Sequence, residues 1–204
     1  IKWDGKIPFK HTEKLSIKRS DDFDEDCLAP QWEWNYQPRK DYFSLTERPG
    51  WLRLKAYRPL ETNNLLKAGN TLTQRTFRKQ NNDVTIKMDI SNMQDGQKNG
   101  LCHFSSQHSA IGIVKEEDAC YLEYRKNGNI TKGIQIHSEF VWFRTEWGMD
   151  GKSQYYYSLD GDNFLPFGEK YQLTWGNYRG DRIGIYCFND KKETGSVDVD
   201  YCHY

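Results

Sequence analysis

The chain has 204 residues, 15% of them aromatic (13 Tyr, 10 Phe and 7 Trp), and 29 Lys and Arg balance 29 Asp and Glu. At this length roughly 70% of the unfolded surface leaves water on folding, so a full hydrophobic core is possible. No apolar run approaches the ~20 residues of a membrane helix, and the balanced charge lacks the clustered Lys and Arg that bind polyanions, which argues against a membrane span and against nucleic acid. Aromatic enrichment favours strands; Trp and Tyr beyond core needs suit sugar-stacking surfaces, the plainer alternative being an aromatic-rich β core.

Residues 1–19 (IKWDGKIPFKHTEKLSIKR) are polar and irregular, with neither an initiator Met nor a secretory leader. They read as a linker or an arm packed on a neighbour, and the chain as a domain cut from something longer. From residue 20 onward, period-two alternation recurs at short intervals and helical periodicity is nearly absent. In WLRLKAY, Leu52, Leu54 and Ala56 share a face opposite Arg53 and Lys55; in VTIKMDI, Val84, Ile86, Met88 and Ile90 oppose Thr85, Lys87 and Asp89. Further runs follow as ACYLEYRK, IQIHSEF, VWFRTEW, QYYYSLDG, RIGIYCF and SVDVDYCHY. They are separated by Asn127-Gly128, Asp150-Gly151, Asp160-Gly161 and Arg179-Gly180, of which the Asn-Gly and Asp-Gly pairs suit tight hairpins. The segment DKKETG (190–195) reads as a solvated loop, and the last strand turns Val197, Val199 and Tyr201 inward with Asp198 and Asp200 outward. No linker or repeat interrupts the body. These patterns predict one all-β domain over residues 20–204, a two-sheet antiparallel sandwich laid out as a meander of many strands.

The five cysteines (Cys27, Cys102, Cys120, Cys187 and Cys202) allow at most two bridges and show no CxxC spacing, and four of them sit in apolar runs as ordinary buried thiols. His103, His108, His137 and His203 have no ligand spacing and read as lone surface or edge residues. The chain holds no GxSxG, Walker loop, HExxH or GxGxxG in strand–turn–helix context. Its adjacent acidic residues, Glu116-Glu117 and Asp24-Glu25-Asp26, fall in apparent turns, away from the strand-face geometry that glycoside hydrolysis asks of a carboxylate pair. The chain is therefore not expected to be catalytic alone.

The run SDDFDEDCLAPQWEWNYQPRKDYFSLTERPGWLRLKA, then NTLTQRT, KNGLCHF, YYYSLDGDNFLPFG, GDRIGIYCF and the terminal VDVDYCHY resemble, in order and spacing, the C-terminal β-sandwich of family-43 glycoside hydrolases, the β-xylosidase and arabinofuranosidase group. The resemblance covers roughly residues 20–204. It implies a concanavalin A-like jelly roll that follows a five-bladed catalytic propeller, here outside the chain. The expected role is that of an accessory domain of a xylan- or arabinoxylan-degrading enzyme, packed on the propeller and shaping its pocket. The alternative is an autonomous xylan-binding module. The resemblance also implies that one sandwich loop lends an aromatic to the pocket rim. Tyr178 in WGNYRGDRIGIY is the matching residue, with Trp175 nearby, the alternative being an aromatic that packs on its own hairpin; Tyr stands where family members carry Phe, which keeps stacking and adds a hydroxyl.

Four other residues are candidates for sugar contact. Trp32 and Trp34 alternate onto one face, with Asn35 beside them; this is either a platform toward sugar or propeller, or core plus a turn-forming Asn. Gln74 and Arg75, on a strand of the sheet expected to be concave, face either sugar hydroxyls or a buried carboxylate such as Glu47. Sandwiches of this type often clamp a structural Ca²⁺ with a terminal-strand Asp, and Asp200 with Asp22 is the pair for that role, two unpaired edge carboxylates being the alternative.

Overall fold

The computed structural model describes Gly5, residues 18–174 and residues 180–204. In chain order the strands are β1 (Glu33–Trp34), β2 (Phe43–Ser44), β3 (Leu52–Lys55), β4 (Thr71–Arg75), β5 (Asn81–Asp89), β6 (Gln97–Phe104), β7 (His108–Glu116) and β8 (Ala119–Lys126). There follow β9 (Asn129–Ile136), β10 (Phe140–Gly148), β11 (Lys152–Ser158), β12 (Leu165–Pro166), β13 (Tyr171–Gln172), β14 (Arg182–Asn189) and β15 (Ser196–His203). The helical elements among the described residues are two 3₁₀ turns, Lys40–Tyr42 and Leu65–Lys67, and no helix among them is long and apolar enough to cross a membrane.

The expected sandwich is present. One sheet runs β1-β4-β14-β6-β7-β8-β9; the other runs β12-β11-β10-β5-β15-β3-β2, with β13 also on β11. The meander is only part of the layout, because β10 pairs with β5 and β14 with β6, each across a long stretch of sequence. Between β8 and β9, Asn127 (φ 49°) and Gly128 (φ 90°) both take the left-handed conformation that a tight hairpin turn requires. The run IQIHSEF spans a break, since β9 ends at Ile136 and β10 begins at Phe140.

The core lies between the sheets. Leu72, Leu101, Ile111, Ile113, Ile183 and Ile185 come from the first; Leu52, Leu54, Val84, Ile86, Met88, Val141, Phe143, Tyr155, Val197 and Val199 come from the second. The alternation read in β3 and β5 holds, but that of β15 changes partway. A bulge between Val199 and Tyr201 makes Asp200 the extra residue, so Tyr201 pairs with Lys87 and Cys202 with Ile86. Cys202 therefore faces the core, while Tyr201 turns outward and stacks on the exposed His203, with ring centroids 3.9 Å apart. All five cysteines are free, with Cys102, Cys187 and Cys202 buried and Cys27 exposed.

On the outer face of the first sheet, Gly100 and Gly112 are cross-strand partners, and Tyr186 lies across them. A Cβ on Gly112 would sit 1.9 Å from the Asn99 carbonyl oxygen and 2.4 Å from the Tyr186 hydroxyl. Only glycine lets the ring lie flat there.

The outer face of the second sheet carries a charge cluster. Asp89 and Asp198 are cross-strand partners, a like-charge pairing that is unfavourable by itself. Arg48 reaches both, with Nη1 2.6 Å from Asp89 Oδ2 and 2.9 Å from Asp198 Oδ2, and its guanidinium lies 3.7 Å from the Trp51 ring centroid. Arg53 holds Asp198 in a two-pronged contact at 2.7 and 2.8 Å, which raises the Arg53 pKa above its ordinary value. Asp198 is 1% exposed, so Arg48→Ala leaves two facing carboxylates with one cation. The expected loss is about 2–4 kcal/mol, between the values for exposed and buried pairs. In urea titrations the deficit should shrink below pH ~4, where carboxylates protonate.

Candidate functional site at the chain-entry end

One end of the sandwich gathers the connections 76–80, 105–107, 149–151 and 173–181 together with the entering chain and Tyr204. The entry is fixed at several points. Asp21 and Cys202 exchange backbone hydrogen bonds at 2.9 and 2.8 Å, and the buried Asp21 carboxylate accepts from Trp32 Nε1 at 2.8 Å and from Phe23 N at 3.0 Å. Ser20 Oγ donates to Tyr204 O and accepts from Tyr204 N. The Arg19 guanidinium lies 3.6 Å from the Phe77 ring centroid, and Gln74 Nε2 donates to Arg19 O.

The residue before Phe77 leads directly to the long connection. Thr76 donates from both N and Oγ1 to the Asp181 carbonyl oxygen, at 3.2 and 2.8 Å. Thr174 Oγ1 donates to Asp181 Oδ1 at 3.3 Å and lies 2.8 Å from Ser105 Oγ. The Thr174 hydroxyl has one proton and a carboxylate only accepts, so Ser105 is the donor to Thr174. The two ends of the 175–179 connection are thereby held side by side. Arg182, at the start of β14, is buried, with Nη1 3.1 Å from Thr73 Oγ1, 3.7 Å from Glu33 Oε2, and its guanidinium 4.5 Å from the Phe104 ring centroid.

Beneath this end the sheets are joined by polar groups. Tyr155 of β11 donates its hydroxyl to Ser109 O at 2.8 Å and accepts from His103 N at 2.9 Å and from Ser109 Oγ at 3.1 Å. His103, expected at the surface, is wholly buried, with Nε2 2.8 Å from Thr145 Oγ1 and Trp147, Tyr155 and Tyr171 around its ring. Burial pushes its pKa down to about 3. His108 is also buried, and burial with the nearby Arg125 charge lowers its pKa to about 4.

The outer face of the first sheet is not an open cleft. Residues 57–70 cross it, and Leu65 and Ala68 pack with Cys102, Phe104, Ala110, Tyr186 and Phe188 in a second apolar cluster. Arg125 anchors this cover by donating to Asn63 Oδ1 at 2.8 Å and holds Glu123 in an ion pair. The uncovered remainder, over β8 and β9, is a groove of about 790 Å³ in which Lys98 pairs with Asp190 and Lys132 with Glu116, while Lys115, Glu117 and Asp118 also line it. Its aromatic, Tyr121, has the Lys132 ammonium 3.5 Å from its ring centroid, where a sugar face would stack.

The candidate residues are distributed accordingly. Tyr178 and Trp175 lie outside the described residues. Trp32 and Trp34 do share a face, and it is the interior: Trp32 stacks on Phe23 and Trp34 packs against Phe43. Asn35 donates from Nδ2 to Leu66 O and Ala68 O, fastening the cover over the outer face. Gln74 is buried, its amide also 3.8 Å from Cys202 Sγ, while Arg75 is exposed on the other face. Glu47 is exposed and belongs to Arg53 and Lys55 on the opposite sheet, so the expected pairing with Arg75 is replaced by one that the strand order dictates. Asp22 meets His203 at 2.7 Å and Asp200 meets Lys87 at 2.7 Å, so neither is an unpaired edge carboxylate. Among the described residues no three His, Cys, Asp or Glu converge as metal ligands; Asp200 faces the Lys87 ammonium and Asp22 a ring nitrogen of His203.

A family model, the beta-xylosidase C-terminal concanavalin A-like domain, matches residues 20–204. The chain belongs to this family. A beta-xylosidase of Formosa agariphila is 35% identical over 207 residues, covering 92% of this chain and 35% of the relative. Among solved structures, a bifunctional GH43-CE protein of Bacteroides eggerthii superposes with a TM-score of 0.81 at 28% identity, over 90% of this chain and 25% of that one. A GH43 glycoside hydrolase engineered to display both endo-xylanase and exo-arabinofuranosidase activity superposes with a TM-score of 0.82 at 24% identity, over 95% of this chain and 41% of that one. The chain thus spans about a third of the length of the curated relative.

In this concanavalin A-like sandwich, the contacts among Ser105, Thr174 and Asp181 and the cover of residues 57–70 carry no sequence signature. The contact residues are single hydroxyls and one acid, and the cover shows in sequence only as the apolar pair Leu65-Leu66. The buried histidines set a pH dependence. Their folded-state pKa values, about 3 and about 4, lie below the ordinary 6.5, so the unfolded chain binds more protons between those limits. Stability is complete above pH ~6.5 and falls as pH drops toward 4. Urea midpoints measured across this window should show the fall, and His103→Gln should flatten it.

Proposed function

We propose that this chain is the accessory C-terminal domain of a xylan- or arabinoxylan-degrading glycoside hydrolase of family 43, of the β-xylosidase or arabinofuranosidase kind. In this reading it packs on an N-terminal five-bladed catalytic propeller and lends Tyr178, with Trp175 beside it, to the rim of the substrate pocket. The observation that carries the reading is geometric. The entering chain at Arg19 and the anchored ends of the 175–179 connection lie at one end of the sandwich, linked through Phe77, Thr76 and Asp181. Residues 18 and 19 thus lie at the same end of the sandwich as Thr174 and Asp181. The family match and the share of longer relatives that the chain covers support the same reading.

The paired charges and covered outer face favour an accessory role over autonomous binding. Calorimetric titration of the isolated chain with xylo-oligosaccharides should give no heat above dilution. In the protein carrying its catalytic domain, Tyr178→Ala should lower kcat/KM about tenfold or more by removing stacking and water exclusion at the bound sugar. The sandwich Tm should move by only a few degrees. Unchanged kinetics per folded molecule with a strongly destabilised sandwich would place Tyr178 in the core and end the reading.

A further inference from the structure

We propose that residues 57–70, the segment across the outer face of the first sheet, form a latched cover that opens as a unit while the sandwich stays folded, with Asn63 as its latch. Open, it joins the surface beneath to the groove over β8 and β9, since Asn63 and Glu123 both line that groove.

The segment is built as a closed loop. Tyr57 O accepts from Asn189 N at 3.1 Å and Asn70 O from Cys187 N at 3.0 Å, so both ends are fixed to β14. The ends also meet each other: Asn70 Nδ2 donates to Lys55 O at 2.8 Å, and a Cβ on Gly69 would lie 2.3 Å from the Tyr57 hydroxyl. A loop whose ends are in contact can swing out without disturbing the elements it connects. Between Arg58 and Lys67 only Leu65 is buried, and Leu60 is 73% exposed. Little apolar area therefore holds the middle of the cover, the condition for low local stability. The remaining hold is polar. Asn35 binds the carbonyls of Leu66 and Ala68, and the tip is held at Asn63. Asn63 Oδ1 accepts from Arg125 Nη1 at 2.8 Å and from Lys98 Nζ at 3.1 Å, and its N–H donates to Asp190 Oδ1 at 2.7 Å. It does so at φ 60°, the left-handed region that costs a non-glycine residue energy. On the sheet side, the closed state keeps the Arg125–Glu123 pair out of water and leaves Arg125 Nη2 buried without a partner among the described residues. Opening rehydrates both charges, which offsets part of the bonds lost at Asn63 and Asn35.

The chain carries its own reporters. Cys102 lies under the cover in one cluster with Leu65 and Ala68, whereas Cys187 and Cys202 belong to the core between the sheets, and all three are buried. Native-state labelling with dilute N-ethylmaleimide, where reclosing outpaces modification, can be read at each thiol by peptide mass spectrometry. Cys102 should be modified at least about tenfold faster than Cys187 and Cys202, through an opening that leaves the sandwich folded. Its rate should stay nearly flat at low urea, because little surface is exposed, while the other two rise steeply. Two variants separate the openings. Val141→Ala, in the core of the second sheet, destabilises the open and closed forms alike, so it should speed Cys187 and Cys202 about tenfold and leave Cys102 unchanged. Asn63→Ala, at an exposed position, destabilises only the closed form and should speed Cys102 about tenfold, the factor for one lost hydrogen bond to a charged group. Equal wild-type rates at the three thiols, or a Val141→Ala variant that speeds Cys102 as much as the others, overturns the independent opening. A Cys102 rate unmoved by Asn63→Ala overturns the latch.

Discussion

The hydroxyl of Tyr155 is the contact on which the functional end depends. The side chain rises from the second sheet across the whole core, and its oxygen meets the backbones of β6 and β7 at His103 and Ser109, which are cross-strand partners in the first sheet. Apolar packing holds two sheets together without fixing how they slide. A buried phenol that satisfies an N–H, a carbonyl and a hydroxyl at once does fix it, because each group would lose a hydrogen bond if the sheets shifted. His103 adds a second crossing through Thr145. The β6–β7 turn that begins after Phe104 therefore has a determined position relative to β11 and β13, and Ser105 and Thr174 meet as a consequence.

The cover over the outer face of the first sheet removes most of it as an open surface. In a two-sheet sandwich the natural place for a polysaccharide is the open face of one sheet, and here Leu65 and Ala68 fill it, with Asn35 and Arg125 fastening the segment. What remains uncovered holds the pairs Lys98–Asp190 and Lys132–Glu116 and a cation on its aromatic ring. A sugar stacking there would have to displace Lys132 from Tyr121 and separate it from Glu116.

Much of the fold was legible because period-two alternation reports burial directly: Leu52, Leu54, Val84, Ile86 and Met88 are all buried as the pattern says. Where alternation failed, the cause was a backbone event that leaves no mark in residue types. The bulge at Asp200 adds one residue and sends Tyr201 outward and Cys202 inward. His103 was misread for a different reason. Histidine is usually placed by its polarity, whereas here one ring nitrogen finds Thr145 and three aromatic rings cover the remainder. The Arg75–Glu47 expectation failed on topology, since strand order, not local sequence, sets β4 and β3 on different sheets. Of the candidate site, the position of WGNYRG before β14 was legible, while the residues that hold its ends were not, because a hydroxyl acquires its role only through what the fold brings beside it.

The distribution of directional bonds carries the same logic one step further. Around the chain-entry end the side-chain bonds from Ser20, Thr76 and Tyr155 each join residues far apart in sequence. Hydrophobic burial is indifferent to direction and tolerates small displacements, but a hydrogen bond weakens steeply when its angle or length departs from a narrow range. A domain that needed only to be stable would gain little from concentrating such bonds at one end. At this end the Arg19 guanidinium stacks on Phe77, Gln74 donates to Arg19 O and the adjacent Thr76 donates to Asp181 O, so the entering chain, β4 and the start of β14 are joined by directional contacts.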